Sequence, residues 1–132
     1  TKWHRKLLDD MAETMYSADG VGLAAPQVGK SLRIVVIDVQ DEHGLLELVN
    51  PVITMREGSV VDSEGCLSVP QVYGDVERAE RVTVEYTDRR SRQRTLTAEG
   101  LLARCIQHEC DHLDGRLFID IAVSLRKAEE KE

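Results

Sequence analysis

At 132 residues the chain fits a single domain that buries its own core without disulfide staples, and it leaves no room for a second. Its net charge of −7, with basic residues interleaved among acidic ones, gives no argument for a nucleic-acid or membrane surface. Cys66, Cys105 and Cys110 cannot all pair, and no apolar run approaches the roughly 18 residues that span a bilayer, so the chain reads as soluble, reduced and cytoplasmic, in a bacterium. No secretory signal opens it. Thr1 leads at once into helical sequence, so a longer N-terminal arm is expected ahead of it.

Leu8, Met11, Ala12 and Met15 recur at helical spacing and predict an amphipathic helix over about residues 3–16, stopped by Ala18-Asp19-Gly20. Leu32 to Val39 is a nearly continuous β-branched and apolar run of strand length, and Leu45 to Thr54 is a second, interrupted by Asn50-Pro51. Val82, Val84 and Tyr86 alternate with polar residues, and Arg92 to Thr97 returns after the turn Asp88 to Ser91, which makes a hairpin. Its arginines Arg89, Arg90, Arg92 and Arg94 read as a solvated tip. A second helix is expected from Leu101 to about Leu113, closed by Asp114-Gly115. Residues 1–132 are thus expected to form one α+β domain, with antiparallel β-sheets packed around a central motif helix and a second amphipathic helix near the N-terminus.

The central helix carries Gln107-His108-Glu109-Cys110-Asp111-His112, a His-Glu-x-x-His motif. His108 and His112 fall one turn apart on one face, so two imidazoles reach one divalent ion while Glu109 stands beside it. Cys66, in Glu64-Gly65-Cys66-Leu67-Ser68, offers a thiolate as third ligand and leaves a fourth tetrahedral position for water, as a catalytic rather than a closed structural site requires. At about 100° per residue, Leu101 lies in line with the two histidines, Cys105 slightly to one side and Arg104 to the other. Cys105 is a candidate pocket wall; Cys110 points away and receives no role. Leu102, Ile106 and Leu113 form the core face. A third segment, Gly20-Val21-Gly22-Leu23-Ala24-Ala25-Pro26-Gln27, places two glycines where backbone approaches a ligand and a glutamine amide nearby. It lacks the third glycine and the strand-to-helix setting of a nucleotide loop.

Taken together, Gly-Val-Gly-Leu-Ala-Ala-Pro-Gln, Glu-Gly-Cys-Leu-Ser and Gln-His-Glu-Cys-Asp-His resemble the three signature motifs of the peptide deformylases, in the same order and at similar spacing. The resemblance extends over nearly the whole chain, including Leu32 to Val39 and Arg78-Ala79-Glu80-Arg81-Val82. It implies removal of the N-formyl group from the initiator methionine of nascent chains, with release of formate. It makes Cys66, His108 and His112 the metal ligands, typically of Fe2+, with Zn2+, Ni2+ or Co2+ in its place in some members. It makes Glu109 the general acid and base, and the Gln27 side-chain amide and Leu67 backbone N–H the donors to the developing oxyanion. Val21 and Gly22 match the segment that pairs with the substrate backbone, and Leu101 and Cys105 join His108 as candidates for the methionine pocket.

Members usually carry a further segment before the first helix, and many run on from Phe118-Ile119-Asp120 into a long C-terminal helix. Ser124 to Glu132 has length for two helical turns, but its charges most simply describe a frayed end, and no ribosome contact is predicted from it. Arg104 occupies a position often apolar in the family, where it would tilt to solvent or alter preference at the pocket rim. Two other functions compete. A zinc metallopeptidase shares the His-Glu-x-x-His motif but usually takes its third ligand downstream, where this chain has no histidine or cysteine. A catalytically silent relative would be expected to show a broken motif, whereas Gln27, Cys66, Leu67, Glu109, His108 and His112 are all present.

Overall fold

The computed structural model describes residues 2–18, 20–66, 69–115 and 124–127, of which 2, 66, 69–72 and 124–127 are described by backbone alone. In chain order the elements are α1 (Lys2–Ser17), β1 (Gly22–Ala24), a 3-10 turn (Ala25–Val28), β2 (Ile34–Ile37), β3 (Leu46–Glu57), β4 (Val60–Cys66), β5 (Val69–Arg78), β6 (Arg81–Thr87), β7 (Gln93–Glu99), α2 (Gly100–Leu113) and β8 (Ser124–Lys127). Among the described residues, five strands form one antiparallel sheet in the order β1-β2-β3-β6-β7, and three form a second in the order β4-β5-β8. The α+β architecture is the expected one.

The run Ile34-Val35-Val36-Ile37 is apolar throughout because β2 is buried on both faces. Val35 and Ile37 pack into a core with Val82, Val84, Leu102 and Ile106, while Ile34 and Val36 pack into a second core with Leu8, Met11 and Met15. Strand alternation therefore sends successive side chains to different helices, with α2 on one face of the large sheet and α1 on the other. Each fully buried aliphatic side chain contributes about 1.5–3 kcal/mol of transfer free energy. β3 runs straight through Asn50-Pro51, the interruption in the apolar run Leu45 to Thr54 that reads as one strand. Asn50 has a φ of +51°, and the register with β6 shifts between Val49 and Val52, so the proline sits at a bulge where no ladder N–H is needed.

Helix α2 is buried from Leu102 through Cys110. Its apolar side meets the large sheet, and its polar side meets β4 and β5 through Arg104 and Asp111. Gln107 adds a clamp: its Oε1 accepts the Ala79 N–H at 2.9 Å, and its Nε2 donates to the Ala79 carbonyl at 2.9 Å. The turn between β5 and β6 is thereby fixed to the helix. Ser124 to Lys127, read as a fraying end, instead forms β8, which fills an edge of β5 with Val72 opposite Lys127. Phe118, Ile119 and Asp120 lie outside the described residues. Among those described, no helix is long and apolar enough to cross a membrane.

The hairpin tip is more than solvated charge. Arg89 donates to Glu47 on β3 at 2.6 and 2.8 Å and to Asp9 on α1 at 2.5 Å, tying the tip to two other elements. Asp88 closes the turn by accepting the Arg92 and Arg90 backbone N–H groups at 3.0 and 2.9 Å. The Arg92 N–H first, then the Arg94 guanidinium and the Arg90 N–H, hold its carboxyl below the ordinary 3.8, at about 2. Because the folded value lies below the unfolded one, this contribution is complete above about pH 4 and fades as pH falls through about 2. Amide exchange at Arg90 and Arg92 should therefore lose protection over that window in the native chain and show no such dependence in Asp88→Asn. Protection that ignores pH there would remove Asp88 as the turn's anchor.

Candidate metal centre

The two imidazoles of α2 converge. His108 Nε2 and His112 Nε2 lie 3.3 Å apart, and both rings are buried. A tetrahedral ion with bonds of about 2.0–2.1 Å to imidazole holds two nitrogens about 3.3 Å from each other, so the pair fits one such ion. Glu109 completes the described cluster: one ligand atom from each of His108, Glu109 and His112 falls within 4.8 Å of the others, and Glu109 Oε1 stands 3.9 Å from His112 Nε2. The helical spacing that brings these residues together is the one read from the sequence.

Glu64, near the end of β4, sets the orientation of His108. Its Oε1 lies 2.7 Å from His108 Nδ1. Arg78 grips the same carboxylate from β5, with Nε donating to Oε2 and Nη2 to Oε1, each at 3.0 Å. Arg104 donates from α2 to Oε2 at 2.5 Å, so all four acceptor positions of the carboxylate are filled. Burial by itself would push Glu64 upward, but hydrogen bonds from His108 and Arg78 overcome it and leave the group at about 2. An ionised carboxylate only accepts, so His108 must carry its proton on Nδ1 and turn a lone pair outward on Nε2. That is the tautomer a metal ligand needs, held by the carboxylate partner that commonly stands behind ligating histidines.

Arg104 does not tilt to solvent: it is buried against Glu64. The helical wheel placed it beside the histidine face correctly; what it could not show was a carboxylate from another sheet waiting there. Leu101 is 56% exposed, whereas Cys105 is buried. Burial first, then the nearby Glu109 and Glu64 charges, push the Cys105 thiol up to about 12, so it behaves as a neutral apolar wall. Cys110 packs in the core, its thiol likewise pushed up to about 12 by burial. The backbone of Cys66 ends β4 opposite Val69, two residues beyond Glu64; its side chain and all of Leu67 lie outside the description.

The glycine segment forms the edge strand β1 against β2. Val21 is exposed, and its carbonyl accepts the Asp38 N–H at 2.8 Å. Alternation along an antiparallel pair then turns the backbone of Gly22 and Ala24 toward the outer edge. There the Ala24 N–H is taken by Gln27 Oε1 at 2.8 Å. Gly22 also faces α2: a Cβ built on it would lie 2.5 Å from Glu109 Oε2. The absence of a side chain at Gly22 is what lets the Glu109 carboxylate stand where it does.

Sequence reasoning missed Glu64, Arg78 and Asp111 as parts of the site. The signal available was an acid inside the Glu-Gly-Cys segment and an arginine in Arg78-Ala79-Glu80, but their pairing joins residues distant along the chain. With the geometry in hand, comparison with known proteins is consistent throughout. A model of the polypeptide deformylase family matches residues 1–128. The peptide deformylase of Pelotomaculum thermopropionicum is 58% identical over 127 residues, covering 96% of this chain and 81% of that protein. Among solved structures, the peptide deformylase of Thermotoga maritima superposes with a TM-score of 0.90 at 42% identity, covering 94% of this chain and 84% of that one. A Synechococcus elongatus peptide deformylase in complex with actinonin gives 0.87 at 53% identity, with 91% and 65% covered. The chain belongs to the polypeptide deformylase family.

Proposed function

We propose that this chain hydrolyses the N-formyl group from the initiator methionine of nascent polypeptides, releasing formate and a free α-amine. The observation that carries the reading is the pair of buried imidazoles 3.3 Å apart, one oriented through Glu64, with Glu109 alongside. Cys66, His108 and His112 are the proposed ligands. Ferrous iron is the proposed native ion, and zinc, nickel or cobalt would also suit a thiolate and two imidazoles. Bound there, the ion supplies Lewis acidity that polarises the formyl carbonyl and acidifies the attacking water.

The chain's own residues do the rest. Glu109 takes the proton from the attacking water and delivers it to the amine nitrogen as the C–N bond breaks. Gln27 has its carbonyl oxygen held by the Ala24 N–H, which turns its NH₂ end into the donor; with the Leu67 backbone N–H it is proposed to stabilise the oxyanion. An extended substrate is proposed to add to the outer edge of β1 at Gly22, with Val21 just ahead of the strand beside it, and its methionine side chain to lie against Leu101 and Cys105. The surroundings proposed for this work are a bacterial cytoplasm. A metallopeptidase is disfavoured because the proposed third ligand, Cys66, lies upstream of the His-Glu-x-x-His motif, whereas zinc peptidases with that motif usually take theirs downstream.

Anaerobically prepared, iron- or nickel-loaded protein should release formate from a formyl-Met tripeptide and leave N-acetylated and unformylated controls intact. Cleavage of an internal peptide bond, or no release with metal bound, would overturn the reading. Gln27→Ala should lower turnover about 10²-fold or more; near-normal turnover would take Gln27 out of the mechanism.

Gly22→Ala separates two roles of one residue. The added methyl meets the end of a flexible side chain rather than backbone, so the fold should tolerate it while the Glu109 carboxylate is displaced. A shift of about 1 Å in a reacting group costs on the order of 10²-fold, so kcat should fall with KM little changed. A rise in KM at constant kcat would instead confine Gly22 to substrate binding.

A further inference from the structure

Arg104 makes two further hydrogen bonds besides the one to Glu64. Its Nη1 also donates to the Val76 carbonyl at 2.9 Å, and its Nη2 donates to the Val60 carbonyl at 2.7 Å. One guanidinium one turn before His108 thus holds a strand carbonyl on β5, the first residue of β4, and the carboxylate near the end of β4. The planar fork of arginine suits this: its donors leave in fixed directions, which a flexible ammonium does not reproduce. The charges balance as well, since Arg78 and Arg104 stand against Glu64 and Asp111, with Asp111 paired to Arg78.

Two of the proposed ligands come from α2 and the third from the end of β4. Helix and strand must keep a fixed register for one ion to bind all three. Their direct side-chain connection among the described residues is the Arg104–Glu64–His108 relay, beside which Arg78 bridges Glu64 to Asp111. We infer that Arg104 is a positioning residue for the metal: it fixes the Glu64 carboxylate against His108 and locks β4 to α2, so that the ligands from the two elements meet. It touches neither substrate nor ion. The inference rests on the metal site of the proposed function.

The test is Co2+ binding to the full chain, followed by chelator competition and by the visible absorption of the bound ion, in Arg104→Met, Arg104→Lys, Glu64→Gln and the Arg104→Met/Glu64→Gln pair. Loss of a partner behind a ligating histidine costs about 10–100-fold in metal affinity. Arg104→Met should therefore weaken Co2+ binding by about that factor and shift its absorption bands. The double variant should bind no more weakly than Glu64→Gln alone, because both changes break one relay. Arg104→Lys keeps the charge in a milder substitution and should fall between Arg104→Met and the native chain, which preserves a readout if Arg104→Met does not fold. Native affinity and unchanged bands in either single Arg104 variant, or losses that simply add in the pair, would overturn the positioning role. Failure of the native chain itself to bind Co2+ would instead overturn the metal-site reading beneath it.

Discussion

A single buried carboxylate organises this molecule's chemistry. Glu64 accepts from two guanidinium groups and one imidazole, and its donors arrive from two elements distant along the chain: Arg78 from β5, Arg104 and His108 from α2. Burying an ionised group costs several kcal/mol, and a buried ion pair is often no more stabilising than apolar residues of the same volume. Stability is therefore a weak account of its presence. Removing one partner, by contrast, leaves an uncompensated charge at about 3–5 kcal/mol. The four hydrogen bonds to Glu64 fix the direction of its carboxylate behind His108, and an oriented partner behind the histidine is what a metal site needs.

The fold divides labour around that carboxylate. On one side of α2, Leu102 and Ile106 join Val35, Ile37, Val82 and Val84 in an apolar core, which holds the helix against the large sheet without directional bonds. Directional bonds hold the opposite side, through Arg104, His108 and Asp111 to the small sheet, and through Gln107 to Ala79. The helix thus has its depth set by packing and its rotation set by hydrogen bonds. Gly22 supplies the remaining constraint from the edge strand, where the lack of a side chain leaves the volume that Glu109 occupies.

What could be read from the residues alone follows the range of the forces involved. The two helices, the β6–β7 hairpin and the buried strand β2 were legible because their burial imprints a local period, 3.6 or 2, or a continuous apolar run. The convergence of His108 and His112 was legible for the same reason, being one turn of one helix. The small sheet was not: Val60 to Cys66 mixes acids with a glycine, Val60 and Val61 are exposed, and β8 lies in a charged segment. Arg104 shows the limit most clearly. A charge on a helix reads as solvated unless its partner is known, and Glu64 stands 40 residues earlier on another sheet. Gly22 was singled out for closeness to a ligand, while the structure adds closeness to a side chain of the protein itself.

In the proposed site the ion would sit between the Cys66 thiolate and two imidazoles, with Glu109 beside it as the proton carrier. X-ray absorption at the metal edge of the iron- or cobalt-loaded protein tests this most directly, with the native chain compared to Glu109→Gln. One sulfur and two imidazole nitrogens should appear in the coordination shell, unchanged by the substitution while turnover collapses. A shell without sulfur, or one that rearranges when Glu109 is replaced, would contradict it and make Glu109 a ligand.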